Sequence, residues 1–246
     1  MSPVGLKRDV SSTAEPAGSA RANGVGMSHR PGGLSVASAE TTPVAAMSGV
    51  SGFLKRAVDI VVSLIAIVLL APVMLVIAIL VKVDTPGPIL FSSRRIGRNR
   101  EPFRMLKFRT MVVDADSQRD HLRHLSEAPD GLFKIQNDPR LTRFGRYIRA
   151  TSLDELPQIF QVLSGTMSLV GPRPLPPEED ALIVSPGLRN EVRPGLTGPW
   201  QVAGSWRIPL SQMVEMDNAY LTNWSLWLDL KMVGLTFLHV VRRKGV

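Results

Sequence analysis

The longest hydrophobic stretch of the chain runs from Ala57 to Val81 and contains one ionisable residue, Asp59. Its 25 residues are apolar on every face of a helix, so such a helix has no polar side to turn toward water. At about 1.5 Å per residue, the stretch is long enough to cross the ~30 Å hydrocarbon core of a bilayer. We predict a membrane helix here; a buried core helix is the less favoured alternative.

Two features bear on whether this helix crosses the membrane. Pro72 lies near its middle, where the missing N–H and the ring should bend the helix. Basic residues flank both ends, namely Lys55 and Arg56 before it and Lys82, Arg94 and Arg95 after it. The positive-inside rule places both flanks on the cytoplasmic side. We predict a re-entrant helix that bends at Pro72 and returns; a tilted span is the alternative.

Shorter patterns predict the remaining elements. Strands are predicted over Pro88–Ser92 and Phe103–Met111, and helices over Asp114–Ser126 and Asp154–Leu163. The stretch Leu210–Val240 predicts one or two amphipathic helices. The predicted fold class is α+β and mostly helical, with a membrane-embedded N-terminal helix, a small folded domain and interfacial amphipathic helices.

The C-terminal helical stretch carries two tryptophans, Trp224 and Trp227, three positions apart. On one helix this spacing places both rings on the same face. Tryptophan favours the headgroup layer of a membrane, so we predict that this face docks on the membrane interface. The equally weighted alternative is that both rings belong to the core of the domain.

The first 50 residues differ in composition from the rest. Gly, Ser, Ala, Pro and Thr fill 30 of these positions, and Phe, Trp, Tyr and Ile are absent. Such a stretch buries too little apolar surface to offset the entropy of ordering it. It also lacks the continuous apolar core of a secretory signal. The predicted division is a disordered tail over 1–50, a membrane helix over 51–83 and a cytoplasmic domain over 84–246.

Charge and cysteine content narrow the function. The chain holds 29 Lys and Arg against 21 Asp and Glu, and no cysteine. Disulfide scaffolds, Cys-ligated metals and thiol nucleophiles are therefore excluded. From Ser92 to Arg149 there are 14 basic and seven acidic residues, an excess that suits nucleic acid, anionic lipid or phosphorylated substrates.

Nucleic acid is the first rival partner, but the chain has no helix-turn-helix spacing, RNP-like motif or zinc knuckle, so we predict no nucleic-acid partner. A non-catalytic membrane scaffold is the second rival. It would leave the neighbouring carboxylates Asp154 and Glu155 without a role.

These two adjacent carboxylates, in the run Ser152–Gln158, are the first candidate for chemistry. A structural alternative is a capping box formed by Ser152 and Glu155. Pro157 opposes that register, because it would fall where its N–H is needed. With Asp154 as the N-cap instead, both carboxylates lie at the positive end of a helix dipole.

Basic residues at four nearby or constrained positions strengthen this candidate. Lys107 and Arg109 alternate around Phe108, so on a strand both would point to one face. Arg149 lies five positions before Asp154, and Arg173 lies between two prolines. Together with a carboxylate pair, these cations suggest a site that neutralises phosphates so that a carboxylate can approach phosphorus.

The chain resembles the bacterial sugar transferases, which are monotopic phosphoglycosyl transferases, from about Phe53 to the C-terminus. The matching stretches are Lys55–Asp59, Gly87–Phe91, Lys107–Met111, Arg149 with Ser152–Gln158, Ser168–Pro174, Val192–Gly198, Trp200–Val202, Trp224–Ser225 and Leu228–Lys231. So many motifs in the same order make chance similarity negligible.

The resemblance implies a phosphoglycosyl transferase reaction. A UDP-sugar donates a sugar 1-phosphate to polyprenyl (undecaprenyl) phosphate through a covalent aspartyl-phosphosugar intermediate. Asp154 matches the nucleophile, and Glu155 the partner that assists deprotonation of the lipid phosphate. Lys107, Arg109, Arg149 and Arg173 match the part of the site that binds phosphate or nucleotide. Mg²⁺ is the implied cofactor, with Asp154 as a ligand.

The resemblance also implies a setting: the bacterial cytoplasmic (inner) membrane, with the catalytic domain on the cytoplasmic side. The process is the initiation of exopolysaccharide, capsule, O-antigen or glycoconjugate assembly, with downstream glycosyltransferases as further partners. The chain has the length expected of the form with the catalytic domain alone. The transferred sugar and the oligomeric state are not determined.

Two positions depart from the family pattern. Ala71 precedes Pro72 where many relatives carry serine, and Ser205 follows Gly204 where many carry arginine. Pro72 should still bend the helix. If the missing arginine contacts the donor, Arg207 is the residue that could replace it, so the second departure bears on sugar or nucleotide preference.

Overall fold

The computed structural model describes residue 47 and residues 49–203 and 208–241. Almost all of the predicted 1–50 tail, together with Ser205 and Arg207, lies outside the described residues. The described part is α+β, with seven α-helices and four short strands. This agrees with the α+β part of the predicted fold class.

The first helix, α1, runs over Gly49–Asp84 and stays helical through Pro72. It is the only helix among the described residues that is long and apolar enough to cross a membrane. Only 17% of its most apolar 18-residue window is buried, so most of this apolar surface faces outward. The long hydrophobic helix predicted from the sequence is therefore present.

Both halves of α1 pack against the folded domain. Near its start, Lys55, Asp59 and Ser63 are buried, and near its end three apolar side chains are buried, namely Met74, Ile77 and Val81. The turn that follows needs glycine, because Gly87 has φ +123° and an added Cβ would approach the Arg109 guanidinium to 2.7 Å. This turn brings the chain directly into the first strand.

Two small sheets form the β part of the fold. β1 (Leu90–Ile96) and β2 (Pro102–Phe108) pair antiparallel, with Phe91 opposite Lys107. β3 (Ser168–Val170) and β4 (Gly195–Thr197) pair parallel. The two strands predicted before residue 112 exist, but β1 begins two residues later than predicted and β2 ends three residues earlier.

The remaining helices surround these sheets. They are α2 (Arg143–Ala150), α3 (Gln158–Ser164), α4 (Pro177–Asp180), α5 (Pro199–Val202), α6 (Leu210–Thr222) and α7 (Leu226–Val241). Single 3₁₀ turns occupy Arg98–Arg100, Arg123–Leu125 and Leu153–Glu155. The prediction of one or two helices over Leu210–Val240 is confirmed as two.

The helix predicted over Asp114–Ser126 was wrong. That stretch folds as consecutive turns ending in the 3₁₀ turn at Arg123–Leu125. It carries too few apolar residues to bury a helix face, and short helices without such a face are marginal.

The core is divided into three apolar clusters. The cluster around Met105, Met167 and Leu221 lies between β2, β3 and α6. A second cluster, around Leu175 and Trp200, lies beneath the start of α6. The third joins α1 to the domain and contains Met74, Ile77, Val81, Phe108 and Ile148.

Trp224 and Trp227 do not share one face of a helix, contrary to the prediction. Trp224 precedes α7, packs against the first core cluster and donates its indole N–H to Asp229 Oδ1 at 3.2 Å. Trp227 is 75% exposed. The polar partner of Trp224 holds its ring inward, so only Trp227 is available to an interface.

Candidate active site

The two candidate carboxylates lie in a tight turn between α2 and α3. Ser152 adopts a left-handed conformation (φ 56°), and Leu153–Glu155 form a 3₁₀ turn. The prediction that Asp154 is the N-cap of a helix was therefore wrong. The helix α3 begins later, at Gln158, with Pro157 before it. The proline ring favours the start of a helix, and the tight turn directs the adjacent carboxylates toward neighbouring cations.

Glu155 is held by two cations. Lys107 Nζ lies 2.6 Å from Glu155 Oε1, and Arg173 donates to the two carboxylate oxygens through Nη2 at 2.8 Å and Nη1 at 3.4 Å. Lys107 comes from β2, and Arg173 from the segment after β3. Residues far apart in sequence therefore meet on one carboxylate.

Asp154 is held much less tightly than Glu155. Its side chain lies 4.0 Å from Lys107 Nζ and accepts no hydrogen bond from the described residues. The residue is only 6% exposed. Its carboxylate oxygens are thus available to a ligand or an electrophile at the wall of the site.

The two carboxylates differ in acidity. Burial raises the pKa of Asp154, and the neighbouring Lys107 only partly opposes it. Burial also acts to raise the pKa of Glu155, but Arg173 and Lys107 outweigh it and hold that pKa well below its usual range. Glu155 is thus the more strongly acidic of the two carboxyl groups, because its partners stabilise its charge and Asp154 has less compensation for burial.

Arg149 and Arg109 have different environments. Arg149, in the last turn of α2, lines the same cavity and favours the ionised form of Asp154. Arg109 also lines the cavity, but its guanidinium donates to the carbonyl oxygens of Pro86 at 2.6 Å and Thr85 at 2.7 Å. β2 ends at Phe108, and the Arg109 N–H donates to the Ile89 carbonyl oxygen at 2.9 Å just beyond it. Lys107 and Arg109 both line the cavity, but the Arg109 guanidinium is occupied by the turn after α1.

A cavity of about 870 Å³ opens beside the carboxylates. Sequence reasoning missed several cations in its wall, among them Arg95 and Lys134. Burial and the nearby charge of Arg173 together lower the pKa of Arg95 to about 10 and that of Lys134 to about 7. Arg95 stands on β1 opposite Phe103, so strand alternation was the signal that could have found it; nothing local distinguishes Lys134.

The site offers few protein ligands for the implied Mg²⁺. Among the described residues, no group of three or more His, Asp or Glu side chains could hold a metal ion. Mg²⁺, however, is often bound by one or two carboxylates together with substrate phosphates. The free oxygens of Asp154 fit that mode, whereas those of Glu155 are occupied by Lys107 and Arg173.

The basic pair at the start of α1 has internal partners. Lys55 Nζ lies 2.6 Å from Asp229 Oδ2 and 3.1 Å from the Val170 carbonyl oxygen. Arg56 donates to the carbonyl oxygens of Val162 and Leu163 at the end of α3. The two basic residues before the apolar stretch, which the positive-inside rule places on the cytoplasmic side, thus also attach α1 to the domain.

Comparison with known proteins adds to this geometry. The family model for bacterial sugar transferases matches residues 50–243. The chain is 44% identical over 202 residues to an uncharacterized sugar transferase of Haemophilus influenzae, covering 79% of this chain and 42% of the relative. It is 40% identical over 200 residues to the UDP-glucose:undecaprenyl-phosphate glucose-1-phosphate transferase of Escherichia coli, covering 77% of this chain and 40% of that protein.

A third relative is closer in length. The chain is 38% identical over 209 residues to the exopolysaccharide production protein ExoY of Rhizobium meliloti, covering 81% of this chain and 91% of that protein. The chain spans about two fifths of the length of the first two relatives.

Proposed function

The chain belongs to the bacterial sugar transferase family, and on that premise we propose that it is a phosphoglycosyl transferase. It transfers a sugar 1-phosphate from a UDP-sugar to undecaprenyl phosphate and thereby initiates exopolysaccharide, capsule or related glycan assembly. The E. coli relative is named for that donor and acceptor, and the R. meliloti relative for exopolysaccharide production.

One observation carries the proposal: a buried carboxylate that accepts no hydrogen bond from the described part of the chain lies beside a second carboxylate that binds two cations. Asp154 is the first, and Glu155, with Lys107 and Arg173, forms the second. An anionic nucleophile approaches a phosphate only where cations offset the repulsion. The nearby cavity, about 870 Å³ in volume, is large enough for a nucleotide sugar.

In the proposed first step, an Asp154 oxygen bonds to the sugar-bearing phosphorus of the donor. The bond from that phosphorus to the bridging oxygen breaks, and its electron pair leaves with UMP. Lys107, Arg149 and Arg173 neutralise the phosphates. Bound Mg²⁺, held by Asp154 and donor phosphate, would supply further charge neutralisation.

In the second step, an oxygen of the lipid phosphate attacks the same phosphorus, and the Asp154 carboxylate leaves. The low pKa of Glu155 in the free protein makes it a weak base, since Arg173 and Lys107 stabilise its charge. When substrate phosphates draw these cations away, the pKa of Glu155 rises and it can accept a proton. Glu155 thus serves first as an anchor and then as the base.

We further propose that α1 is re-entrant. The buried contacts at its start end at Ser63, and those at its end begin at Met74. The intervening ten residues rise only about 15 Å, against a hydrocarbon core of ~30 Å. One folded domain that holds both ends of the helix favours entry and return through one leaflet, with the domain on the cytoplasmic side of the inner membrane.

A donor screen tests the function. Purified protein with Mg²⁺ and individual UDP-sugars, but no lipid, should release about one equivalent of UMP per active site, because the covalent intermediate forms once. The sugar phosphate should remain on the Asp154 peptide as an acyl phosphate that hydroxylamine removes. Adding undecaprenyl phosphate should convert the burst into turnover.

Asp154→Asn is the matched variant for this screen, because it keeps the shape of the side chain and removes the nucleophile. It should abolish both the burst and turnover. UMP release that requires the lipid, together with an unlabelled Asp154, would contradict the covalent route and support direct transfer.

A further inference from the structure

Arg173 is the cation that binds both oxygens of Glu155, yet its own segment has little regular structure. The run from Gly171 to Pro174 contains two prolines, which have no N–H to donate. Neighbouring backbone bonds attach both sides of Arg173: Gly195 N–H donates to Pro172 O, and Ile96 N–H donates to Leu175 O, each at 2.9 Å. Arg173 itself takes no part in these backbone bonds.

The backbone carbonyl of Arg173 is instead bound by a side chain. Arg189 donates from Nη2 to this carbonyl oxygen at 2.8 Å. Arg189 is only 5% exposed, so its charge is buried behind the site. A buried donor of this kind fixes the carbonyl it binds and so restricts the backbone that carries the Arg173 guanidinium.

Arg189 is in turn held from the side of α6. Its Nη1 lies 3.9 Å from Asp217 Oδ2, and Asp217 is fully buried. On the next residue of α6, Asn218 Oδ1 accepts from the Leu188 N–H at 2.9 Å. Two consecutive residues of α6 therefore hold the turn that presents Arg189.

We propose that Arg189, held in place by Asp217, is a positioning residue that sets the Arg173 guanidinium against the catalytic carboxylates. The chain of contacts runs from α6 through Arg189 to the backbone of Arg173, and from its guanidinium to Glu155. This inference rests on the proposed function, because its consequence is the placement of a phosphate-neutralising cation.

The test is a double-mutant cycle between Arg189 and Arg173. Arg189→Met keeps most of the side-chain length and removes the donors. In the wild-type background it should lower kcat/KM for the UDP-sugar by about 10–100-fold, mainly in kcat, because misplacing a charged group by about 1 Å has that effect. In the Arg173→Lys background the same change should cost less than about twofold.

Two controls separate positioning from general damage. Arg98→Met removes a guanidinium that donates to the Glu191 carbonyl of the same turn at 3.0 Å but has no contact with Arg173, and it should leave kcat unchanged. Arg189→Lys should restore part of the lost rate. Equal losses from Arg189→Met in both Arg173 backgrounds would overturn the proposal.

Hydrogen–deuterium exchange provides a readout that does not depend on activity. Arg189→Met should accelerate exchange of the amides that bond this segment to its neighbours, those of Gly171, Gly195 and Ile96, whereas Arg98→Met should not; unchanged exchange would also overturn the proposal. A wild-type protein without turnover would refute the proposed function, and the exchange result would still decide the role of Arg189.

Discussion

At the scale of single residues, the two neighbouring carboxylates of the site differ in how closely cations bind them. Glu155 has two cationic partners within 2.8 Å, whereas Asp154 has its nearest cation at 4.0 Å. The better-paired group stays ionised and holds the cations, and the less-paired group keeps its oxygens free for phosphorus. Neutral substitution of Asp154 should therefore prevent the intermediate from forming, whereas that of Glu155 should mainly slow its transfer to the lipid.

We predict that Glu155→Gln slows transfer to the lipid more than it slows the UMP burst. The amide cannot accept the proton of the lipid phosphate, and base assistance is typically worth about 10²–10⁴-fold. Rapid-quench measurement of the burst, beside steady-state turnover, separates the two halves. A burst lost as completely as in Asp154→Asn would show instead that Glu155 is needed to form the intermediate.

A second prediction at this scale concerns Lys134. Its pKa is lowered to about 7 by burial and by the nearby cations Arg173, Arg149 and Lys107. Below that pH the ammonium is charged and attracts the donor diphosphate; above it the proton is lost. KM for the UDP-sugar should therefore rise as pH increases through about 7. Lys134→Arg, which stays charged, should remove the rise, and the exposed Lys231→Ala should retain it.

At the scale of elements, two helices present apolar surface outward. The first is α1, and the second is α7, where Trp227, Leu230, Phe237 and Leu238 are exposed. These α7 positions recur at helical spacing and form one face. Two such surfaces on one domain are suited to a membrane interface, where the aromatic rings lie among the headgroups.

We predict that Trp227→Ser with Phe237→Ser weakens binding to liposomes at least tenfold and leaves the melting temperature unchanged. Full burial of one large apolar side chain contributes about 1.5–3 kcal/mol, and both rings are exposed in the folded protein. Trp224→Ser should do the reverse, because that ring packs in the core and bonds Asp229. Flotation and thermal melts in detergent distinguish these outcomes.

The topology of α1 leads to a separate prediction. A cysteine placed near residue 45 and another in the domain should both react from the cytoplasmic side, and the cysteine-free chain makes the labelling specific. Pro72→Ala should straighten the helix and favour spanning, because the proline removes one helical hydrogen bond. Periplasmic labelling near residue 45 in the unmodified sequence would contradict a re-entrant helix.

At the scale of the whole molecule, buried charged side chains connect the first helix to the last. Asp229 on α7 binds Lys55 on α1 at 2.6 Å and accepts from the Tyr220 hydroxyl at 2.7 Å. Asp217 on α6 is also fully buried, but neither of its carboxylate oxygens has a hydrogen-bond partner among the described residues. The carboxylate of Asp229 stabilises the fold because its partners satisfy it. The carboxylate of Asp217 lacks such partners, so the stability of the protein depends on pH.

We predict that stability falls as pH rises from about 4 to 7. Burial raises the pKa of Asp217 to about 7, although Arg189 opposes this; in the unfolded chain the value is about 3.9. Between these values the folded protein binds a proton that the unfolded chain does not, so raising the pH favours unfolding. Asp217→Asn should flatten this decline in denaturant titrations between pH 4 and 7, and an unchanged slope would show that other groups cause it.

Much of the architecture followed from local pattern. The long apolar helix, the two strands before residue 112 and a C-terminal stretch of one or two helices were all predicted, because hydrophobic runs and their period reflect which surfaces leave water. Local pattern was misleading where a boundary depended on contacts. Asp154 was expected to cap a helix and instead lies in a 3₁₀ turn. For Trp224 the interface and the core were equal alternatives, and the ring lies against the core and bonds Asp229.

The sequence by itself determined which chemical groups are available: an adjacent carboxylate pair, a basic central segment and an apolar helix. Only the tertiary structure decided their partners. It joined Lys107 and Arg173 to Glu155, directed Arg109 to the turn after α1 and set Arg189 behind Arg173. Local sequence specifies side-chain chemistry and backbone preference, whereas distances between charges from separate elements arise only when those elements pack.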